Sequence, residues 1–418
     1  MRSDGSSRLA SGNRWSTFPS VSAAWRISSE SFMEKTQIFL NDLKIRASWG
    51  LTGATTGVGL YPSYSTIGFG NAALGNQYIL SAYLSGLGNT DLGWEKTSML
   101  DFGFDARLLD NRLGVTFDYY LKNTKDILIG LPVPLEYGFG KPNVNIGELQ
   151  NNGWEVELSW NDKIGEFRYG IQANLSNNKN EVKDLGGTSP WKDGYTAEGL
   201  AMNSYYGYEA LGLFQTEEEV ANSPVYSRRY AKPGDVKYKD QNNDGVIDAD
   251  DRVVLGDRDP HYLFGVTLNG AWKGFDFSVF LQGVGKRNYI LDGPSIRPLS
   301  DQGKGPAFEH QLDYWTEDNR DAKYPRLLEA TSSLGFNHMT SDFWMINAGY
   351  LRLKNLQVGY NFSNDLLKNT GFSNIRLYFS ANNLFTISNF TPGYDPETLN
   401  AFTYPLSRTY SFGLNLQF

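Results

Sequence analysis

Cysteine and long apolar runs are both missing from this sequence. None of the 418 residues is a cysteine, so disulfides, thiolate-bound metal centres and thiol nucleophiles are excluded. Mean hydropathy is −0.43, and no stretch approaches the roughly 18 consecutive apolar residues that a membrane-spanning helix needs. The sequence is therefore not that of a helical membrane protein.

Clustered positive charge and enzyme motifs are absent as well. The formal net charge is −8 and the basic residues are scattered, which argues against a surface that follows nucleic-acid phosphates. The sequence has no nucleophile elbow, phosphate-binding loop or H-E-x-x-H motif. His261, His310 and His338 are the three histidines, and without metal-ligand spacing they are interpreted as surface or strand-end residues. We expect neither nucleic-acid binding nor catalysis.

Alternation of apolar and polar residues is the strongest feature that is present. A period of two places alternate residues on one face of a β-strand. The pattern recurs at 43–49, 115–121, 154–160, 167–175 and 262–272, often in segments longer than the strands of soluble sheets. In the last segment of the chain, the apolar face consists of Tyr410, Phe412, Leu414, Leu416 and Phe418.

Charged residues on the polar faces indicate that these faces meet water. Glu155 and Glu157 lie within one predicted strand, where a dry core would not accept them but a solvated lumen would. A strand of about ten residues, tilted by about 40°, spans about 26 Å, the height of an outer-membrane apolar band. Tyr262 and Trp272 would then lie at the two membrane interfaces. The pattern predicts an all-β fold, an antiparallel transmembrane β-barrel.

The predicted barrel is incomplete. Tight turns alternate with long segments at 50–91, 179–260 and 286–346, as periplasmic turns alternate with external loops in outer-membrane barrels. The strand count is about eleven, an odd number, whereas single-chain bacterial barrels close with even numbers. Residues 1–5 are polar and lack the apolar core of a secretory signal. We expect the remaining strands and the signal to lie upstream.

The loop segment 232–260 contains a twelve-residue pattern typical of calcium loops. Gly245 permits the sharp bend of such a loop, but the last position is Asp rather than Glu and no flanking helix pair is evident. The alternative is a turn stabilised by its own side chains without metal. The oxygen ligands of Ca²⁺ would come from Asp240, Asn242, Asp244, Val246 through its carbonyl, Asp248 and Asp251.

Aromatic residues in the predicted external loops form the candidate ligand-binding set. Their rings could stack on sugars or contact a peptide. They could equally pack the loops against each other, because large loops need apolar contacts to stay ordered. Both interpretations stay open for Trp191, Tyr195, Tyr205, Tyr206, Tyr208, Tyr314 and Trp315.

Several segments together resemble the SusC/RagA family of TonB-dependent outer-membrane transporters. They lie at 14–26, 234–238 with the following calcium-like loop and 256–257, 350–356, and 381–386, and the resemblance runs over essentially the whole chain. It implies that residues 1–418 are the C-terminal part of a twenty-two-stranded barrel. A plug domain and a TonB-contacting segment would lie upstream, and Phe418 would be the C-terminal aromatic that barrel assembly recognises.

The same resemblance implies a location in the outer membrane and a SusD-type surface lipoprotein as a lid over the external loops. The expected activity is TonB-driven uptake of an oligosaccharide or peptide. The main alternative is a secreted all-β glycan-binding module without transport, which predicts shorter strands with polar outer faces. A barrel enzyme is a second alternative, but the sequence shows no convergent nucleophile and base.

Overall fold

The computed structural model divides the chain into two compact units. The first contains Met1–Leu158, Ser176–Lys192 and Thr196–Met202, and the second contains Ser159–Leu175, Asp193–Tyr195 and Asn203–Phe418. The structure describes residues 1–131, 136, 138, 141–191, 195–226, 231–298, 307–328, 337–368, 371–390, 394–399, 403–404 and 406–418. Parts of the predicted external segment 286–346, namely 299–306 and 329–336, lie outside the described residues.

Long strands make up most of the first unit. Two 3₁₀ helices, Ile27–Ser29 and Ser31–Thr36, lie between its third and fourth strands. The strands are β1 (Arg2–Gly5), β2 (Trp15–Phe18), β3 (Ser20–Arg26), β4 (Leu40–Ala54), β5 (Thr66–Leu74), β6 (Gln77–Gly86), β7 (Glu95–Leu108), β8 (Leu113–Gly130), β9 (Asn143–Ile164) and β10 (Phe167–Asp184), the last two shared with the second unit.

The second unit combines long strands with short loop strands. Its strands are β11 (Tyr205–Gly207), β12 (Ala210–Leu213), β13 (Val225–Tyr226), β14 (Val236–Tyr238), β15 (Val246–Ile247), β16 (Val253–Gly256), β17 (His261–Trp272), β18 (Phe275–Lys286), β19 (Asn288–Ile290), β20 (Met345–Asn347), β21 (Tyr350–Asn361), β22 (Asn374–Ser388) and β23 (Thr409–Gln417). Its helices are α1 (Glu217–Ala221), α2 (Asn364–Leu367) and the 3₁₀ helices Ala249–Asp251, Gly293–Ser295, Glu309–Leu312 and Asp342–Trp344. Within the described ranges, no helix has the length and apolar character needed to cross a membrane.

Eleven strands form one sheet in which successive strands are hydrogen-bonded neighbours. The order is β3-β4-β7-β8-β9-β10-β17-β18-β21-β22-β23. The pairs β3/β4, β4/β7 and β7/β8 are antiparallel, as are β17/β18, β18/β21, β21/β22 and β22/β23. The prediction of about eleven long antiparallel strands is confirmed.

One face of the sheet in the first unit is apolar and exposed. Leu100 and Phe102 of β7 are each 50% exposed, although burial of such side chains would be favourable in water. The strand register continues this apolar face in three rows: Val21-Trp49-Leu100-Leu121, Ala23-Ala47-Phe102-Tyr119 and Trp25-Ile45-Phe104-Phe117. The sheet therefore turns its large apolar residues outward rather than into a core.

The second unit has the same two-faced sheet. Its apolar rows run across five strands, and Phe412 at the last strand is 86% exposed. The opposite face carries polar residues such as Asp276, Gln357 and Ser411. Two of the apolar rows are Trp272-Phe275-Tyr360-Leu377-Leu414 and Gly270-Phe277-Val358-Phe379-Phe412.

The start of β17 departs from the alternation that the sequence predicts. Tyr262 has a φ of +57°, a backbone conformation that is uncommon for residues other than glycine. Tyr262 and Leu263 are both exposed as a result, and regular pairing with β18 continues from Leu263 to Trp272. The predicted strand is confirmed, but its first aromatic lies in an irregular position.

Candidate functional site

The polar face of the first unit carries a charged cluster in the middle of its strands. Arg46 of β4 donates to Asp105 of β7 at 2.9 Å and to Asp118 of β8 at 3.1 Å. The hydroxyl of Thr116 donates to Asp105 at 3.2 Å. The charged side chains are only partly buried, so water shares their solvation. This arrangement fits a hydrated lumen face opposite a lipid-facing surface.

Neutral amide side chains extend this polar face across β8, β9 and β10. Gln150 donates to Asn123 at 2.9 Å. Asn151 accepts hydrogen bonds from Asn178 at 3.3 Å and from Asn180 at 3.0 Å. Amides present both donors and acceptors, so this part of the face can exchange hydrogen bonds with water or with a polar solute.

The polar face of the second unit contains two arginine centres. Arg376 of β22 donates to the two carboxylate oxygens of Asp276 at 2.9 and 2.5 Å. Arg352 of β21 is almost fully buried and donates to Asp395 and Glu397, which follow β22 in the chain. Sequence reasoning missed these pairs. For the Arg352 site, the signal available in the sequence was an arginine at a polar strand position, followed by two acidic residues in the next loop.

The chain between β10 and β17 folds around its own small core. This core consists of Tyr208, Phe214, Tyr226, Val236, Tyr238 and Ile247. The Tyr226 hydroxyl oxygen accepts a hydrogen bond from the Tyr238 N–H at 3.0 Å. Burial raises the pKa of Tyr226 and of Tyr238 above the ordinary tyrosine value of 10.0. Within the described residues 203–226 and 231–260, the predicted external segment therefore contains short strands around a core of its own.

The calcium-like segment adopts a tight turn held by its own side chains. The Asp240 carboxylate accepts from the N–H groups of Asn243 and Gly245 at 2.7 and 2.8 Å. The buried Asp251 carboxylate accepts from the N–H groups of Gln241 and Asp248, both at 2.8 Å. Among the residues that the structure describes, no group of three or more His, Cys, Asp or Glu side chains is arranged to hold a metal ion.

The remaining predicted ligands follow the same pattern. Asn242 accepts from the Asp244 N–H at 2.9 Å, and Asp244 accepts from the Val246 N–H at 2.8 Å. The Asp248 side chain accepts from the Asp250 N–H at 2.9 Å. These bonds fit the alternative that the sequence left open, a turn stabilised by Asx side chains. Calcium binding at this turn stays a prediction.

Most of the candidate loop aromatics pack within the loops. Tyr205, Tyr208 and Trp315 are buried, and the Trp315 indole N–H donates to Gln215 at 3.1 Å. In the first unit, Trp191 packs on the cluster of Ile129, Val182 and Leu185, and in the second, Tyr314 packs on a cluster around Trp344. These five residues therefore stabilise the loops.

Tyr195 and Tyr206 differ from the other five candidates. Their rings are parallel to within 9° and their centroids lie 3.9 Å apart. Both side chains are partly exposed, as are those of Trp191 and Tyr314, so this pair is distinguished by its stacking and not by its exposure. The ligand role of all seven candidates stays a prediction.

A β-hairpin in the predicted loop 50–91 was not foreseen. Strands β5 and β6 form a separate two-stranded sheet, and residues 50–90 contain no Asp, Glu, Lys or Arg. This long uncharged stretch was the available signal. The pairing places Ile67, Phe69, Tyr78, Leu80 and Leu84 on one exposed face, which we call the hairpin face.

Comparison with known proteins agrees with this two-faced sheet. The family model described as "TonB dependent receptor-like, beta-barrel" matches residues 1–384. TonB-dependent receptor P3 of Formosa agariphila is 31% identical over 100% of this chain and 43% of its own length. TonB-dependent receptor SusC of Bacteroides thetaiotaomicron is 30% identical over 100% of this chain and 42% of its own length.

Solved structures give the same assignment. The structure of the RagAB peptide transporter matches with a TM-score of 0.79 at 26% identity, over 99% of this chain and 45% of that chain. The RagAB peptide importer in the open-open state matches with a TM-score of 0.78 at 26% identity, over 99% of this chain and 44% of that chain. The chain spans less than half the length of these relatives. It belongs to the TonB-dependent receptor β-barrel family, as a SusC/RagA-like member.

Proposed function

We propose that the complete receptor lies in the outer membrane and takes up an oligosaccharide or a peptide in a TonB-dependent manner. The observation that carries this proposal is the sheet with exposed apolar rows on one face and ion pairs and amides on the other. Apolar surface left in water costs about 25 cal/mol per Å², and a lipid bilayer removes that cost. The polar face would then line the passage.

The alternative of a secreted glycan-binding module fits the strands less well. Such a module predicts polar outer faces, whereas Leu100, Phe102 and Phe412 are exposed. Its strands would also be shorter than β8, which has 18 residues, or β10, which has 18.

Uptake by cells tests the proposal. The gene of the full-length receptor is deleted and restored, and accumulation of labelled oligosaccharides and labelled oligopeptides is measured with and without TonB. We expect restored cells to accumulate one of the two ligand classes, and only when TonB is present. Accumulation that does not depend on TonB, or no receptor-dependent accumulation of either class, contradicts the proposal.

We also propose that the hairpin face binds a SusD-type surface lipoprotein. Phe69 is 69% and Leu80 is 75% exposed, and a two-stranded sheet alone is marginally stable in water. An exposed face of five large apolar residues without charge favours a protein partner. The resemblance to the SusC/RagA family, with SusC and the RagAB peptide transporter among the relatives, supports a partner of this kind.

Matched serine variants test the hairpin face. Phe69→Ser and Leu80→Ser change the face itself, whereas Leu74→Ser changes an equally exposed residue on the other side of the hairpin. We expect the first two variants of the full-length receptor to lose most co-purifying lipoprotein and Leu74→Ser to keep it. Equal retention by all three variants would contradict the assignment.

A further inference from the structure

A short turn between β22 and β23 presents two carboxylates side by side. The Leu399 N–H donates to the Asp395 carbonyl at 2.9 Å, and the Asp395 carboxylate accepts from the Glu397 N–H at 2.8 Å. These bonds fix the turn at 394–399, which we call the strap. Tyr394 packs its ring on Phe308, with centroids 5.6 Å apart. The strap is therefore ordered on its own and also held by a neighbouring loop.

Two cations of β21 hold the strap on the polar face. Arg352 Nη2 lies 2.5 Å from Asp395 and Nη1 lies 2.5 Å from Glu397. Lys354 Nζ lies 3.0 Å from Glu397. The Arg352 side chain is 1% exposed, and its Nε donates to Thr386 at 2.9 Å. Two positive charges thus face two negative charges in a site that water does not reach at its centre.

The contacts between the strap and β21 lie where they would affect the passage of a ligand along the polar face. Arg352 pairs with Gln282 and Thr386 across β18 and β22, on the polar face of the sheet. A segment seated there occupies space on the side that the proposed function assigns to the lumen. Moving it away would separate the Arg352 guanidinium from both carboxylates, which is strongly unfavourable as long as water or another partner has not reached it. The seated position is therefore held until new partners reach Arg352.

We propose that the strap is a latch on the passage, and that its release from Arg352 and Lys354 opens the polar face to the ligand. This inference rests on the proposed transport function. Water or an anionic group of the ligand would replace Asp395 and Glu397 as partners of Arg352. Charge-assisted pairs are about twice as strong as neutral hydrogen bonds, so the strap stays seated until these pairs are replaced.

Spin-label mobility in the full-length receptor tests the latch without transport. This chain has no cysteine, and once any cysteine elsewhere in the full-length receptor is replaced, Thr398→Cys, at an exposed position, gives a single label on the strap. We expect Asp395→Asn/Glu397→Gln to raise the released population at least about tenfold, the effect of losing two charge-assisted bonds. Lys354→Gln, which leaves both Arg352 pairs in place, should give a smaller increase.

Asp276→Asn is the matched control, because it breaks the Arg376 ion pair on the same face without touching the strap. In this variant, the spin label at position 398 should stay as immobile as in the parent. A label that is immobile in every variant contradicts the latch. A label that is equally mobile in the strap and control variants contradicts it too, since the sheet as a whole would then have loosened.

A reversible cross-link tests the link to passage. In the full-length receptor, Lys354→Cys/Glu397→Cys is bridged by a short cleavable bis-maleimide, and uptake is measured before and after cleavage. We expect uptake to be lost on bridging and to return on cleavage, while each single-cysteine variant is unaffected by the reagent. Full uptake through the bridged receptor overturns the inference. Absence of uptake in the untreated parent would instead refute the proposed function.

Discussion

Buried ion pairs decide the local stability of the loops. Asp235 has a side chain that is 3% exposed, and Arg326 donates to it at 2.7 and 3.1 Å. Asn337 adds a third hydrogen bond at 2.9 Å. The neighbouring Gly234 has a φ of +85°, and a Cβ there would collide with the Trp315 ring. This site therefore links the turn before β14 to two distant loop segments.

Arg326→Ala should destabilise this loop core by about 3–5 kcal/mol, because it leaves a buried carboxylate without its cation. Hydrogen exchange of the Val236 and Tyr238 amides measures the change. Lys273→Ala is the control, since the Lys273–Glu166 pair is well exposed and such pairs contribute less than about 1 kcal/mol. Equal effects of the two variants would show that burial of Asp235 does not matter.

The two buried tyrosines predict an alkaline limit for the same loop core. Burial raises the pKa of Tyr226 and Tyr238 in the folded state, so their contribution to stability is complete below the unfolded value of about 10. It is lost as pH rises through the higher folded values. Protection of the loop from proteolysis should therefore fall only above about pH 10.

Tyr226→Phe separates ionisation from packing. The variant removes the acceptor of the Tyr238 N–H, which costs about 1–3 kcal/mol near neutral pH. It also removes one ionisable group, so the loss of protection with rising pH should be shallower than in the parent. Identical pH profiles for parent and variant would contradict the assigned role of Tyr226.

Most individual side-chain pairs could not be predicted from the sequence. The pattern identified Glu157 as a polar strand residue, but no pattern could pair Arg352 with Asp395, which lies 43 residues away. Likewise, the ligand and packing interpretations of Trp315 looked the same in sequence. Burial of Trp315 against Gly234 depends on how distant loop segments meet, which no local pattern records.

Strands were far more predictable than loops, and the reason is physical. Alternation in 410–418 reflects a lipid face and a water face, and β23 follows it residue by residue in its pairing with β22. The hairpin of β5 and β6 alternates less clearly, because large apolar residues lie on both of its faces. The bulge between Leu353 and Asn355 also depends on pairing across strands, so the sequence of β21 alone did not reveal it.

Calcium binding by the turn 240–251 is a prediction that calorimetry can check. We expect the purified full-length receptor to bind Ca²⁺ with a Kd of roughly 10⁻⁴ to 10⁻³ M, typical of extracellular sites. Asp240→Asn/Asp244→Asn should abolish the heat of binding, because it removes two carboxylates from the set. Asp110→Asn, in the turn between β7 and β8, is the control.

If neither parent nor control binds Ca²⁺ at millimolar concentrations, the segment is a turn held by its own side chains. The backbone N–H groups that donate to the Asp240 and Asp251 carboxylates already hold the turn in this way.

At the scale of the whole molecule, the eleven-stranded sheet formed by the described residues corresponds to less than half of the relatives' chains. The chain spans 42–45% of the lengths of SusC, receptor P3 and the solved RagAB chain, and β3 and β23 are the two end strands of its eleven-stranded order. Unpaired strand edges in lipid cost several kcal/mol per backbone group. The share of the relatives' length supports the expectation, drawn from the odd strand count and the two-faced pattern, that further strands close the sheet.

Cysteine scanning along β7 of the full-length receptor in its membrane tests the two-faced sheet. Each residue from Lys96 to Arg107 is replaced in turn by cysteine and labelled with a small fluorophore, and quenching by a lipid-soluble reagent is compared with quenching by a water-soluble one. We predict strict alternation, with Leu100, Phe102 and Phe104 reached from lipid and Asp101 and Asp105 reached from water. Access that does not alternate, or apolar positions closed to both reagents, would contradict a lipid-facing sheet.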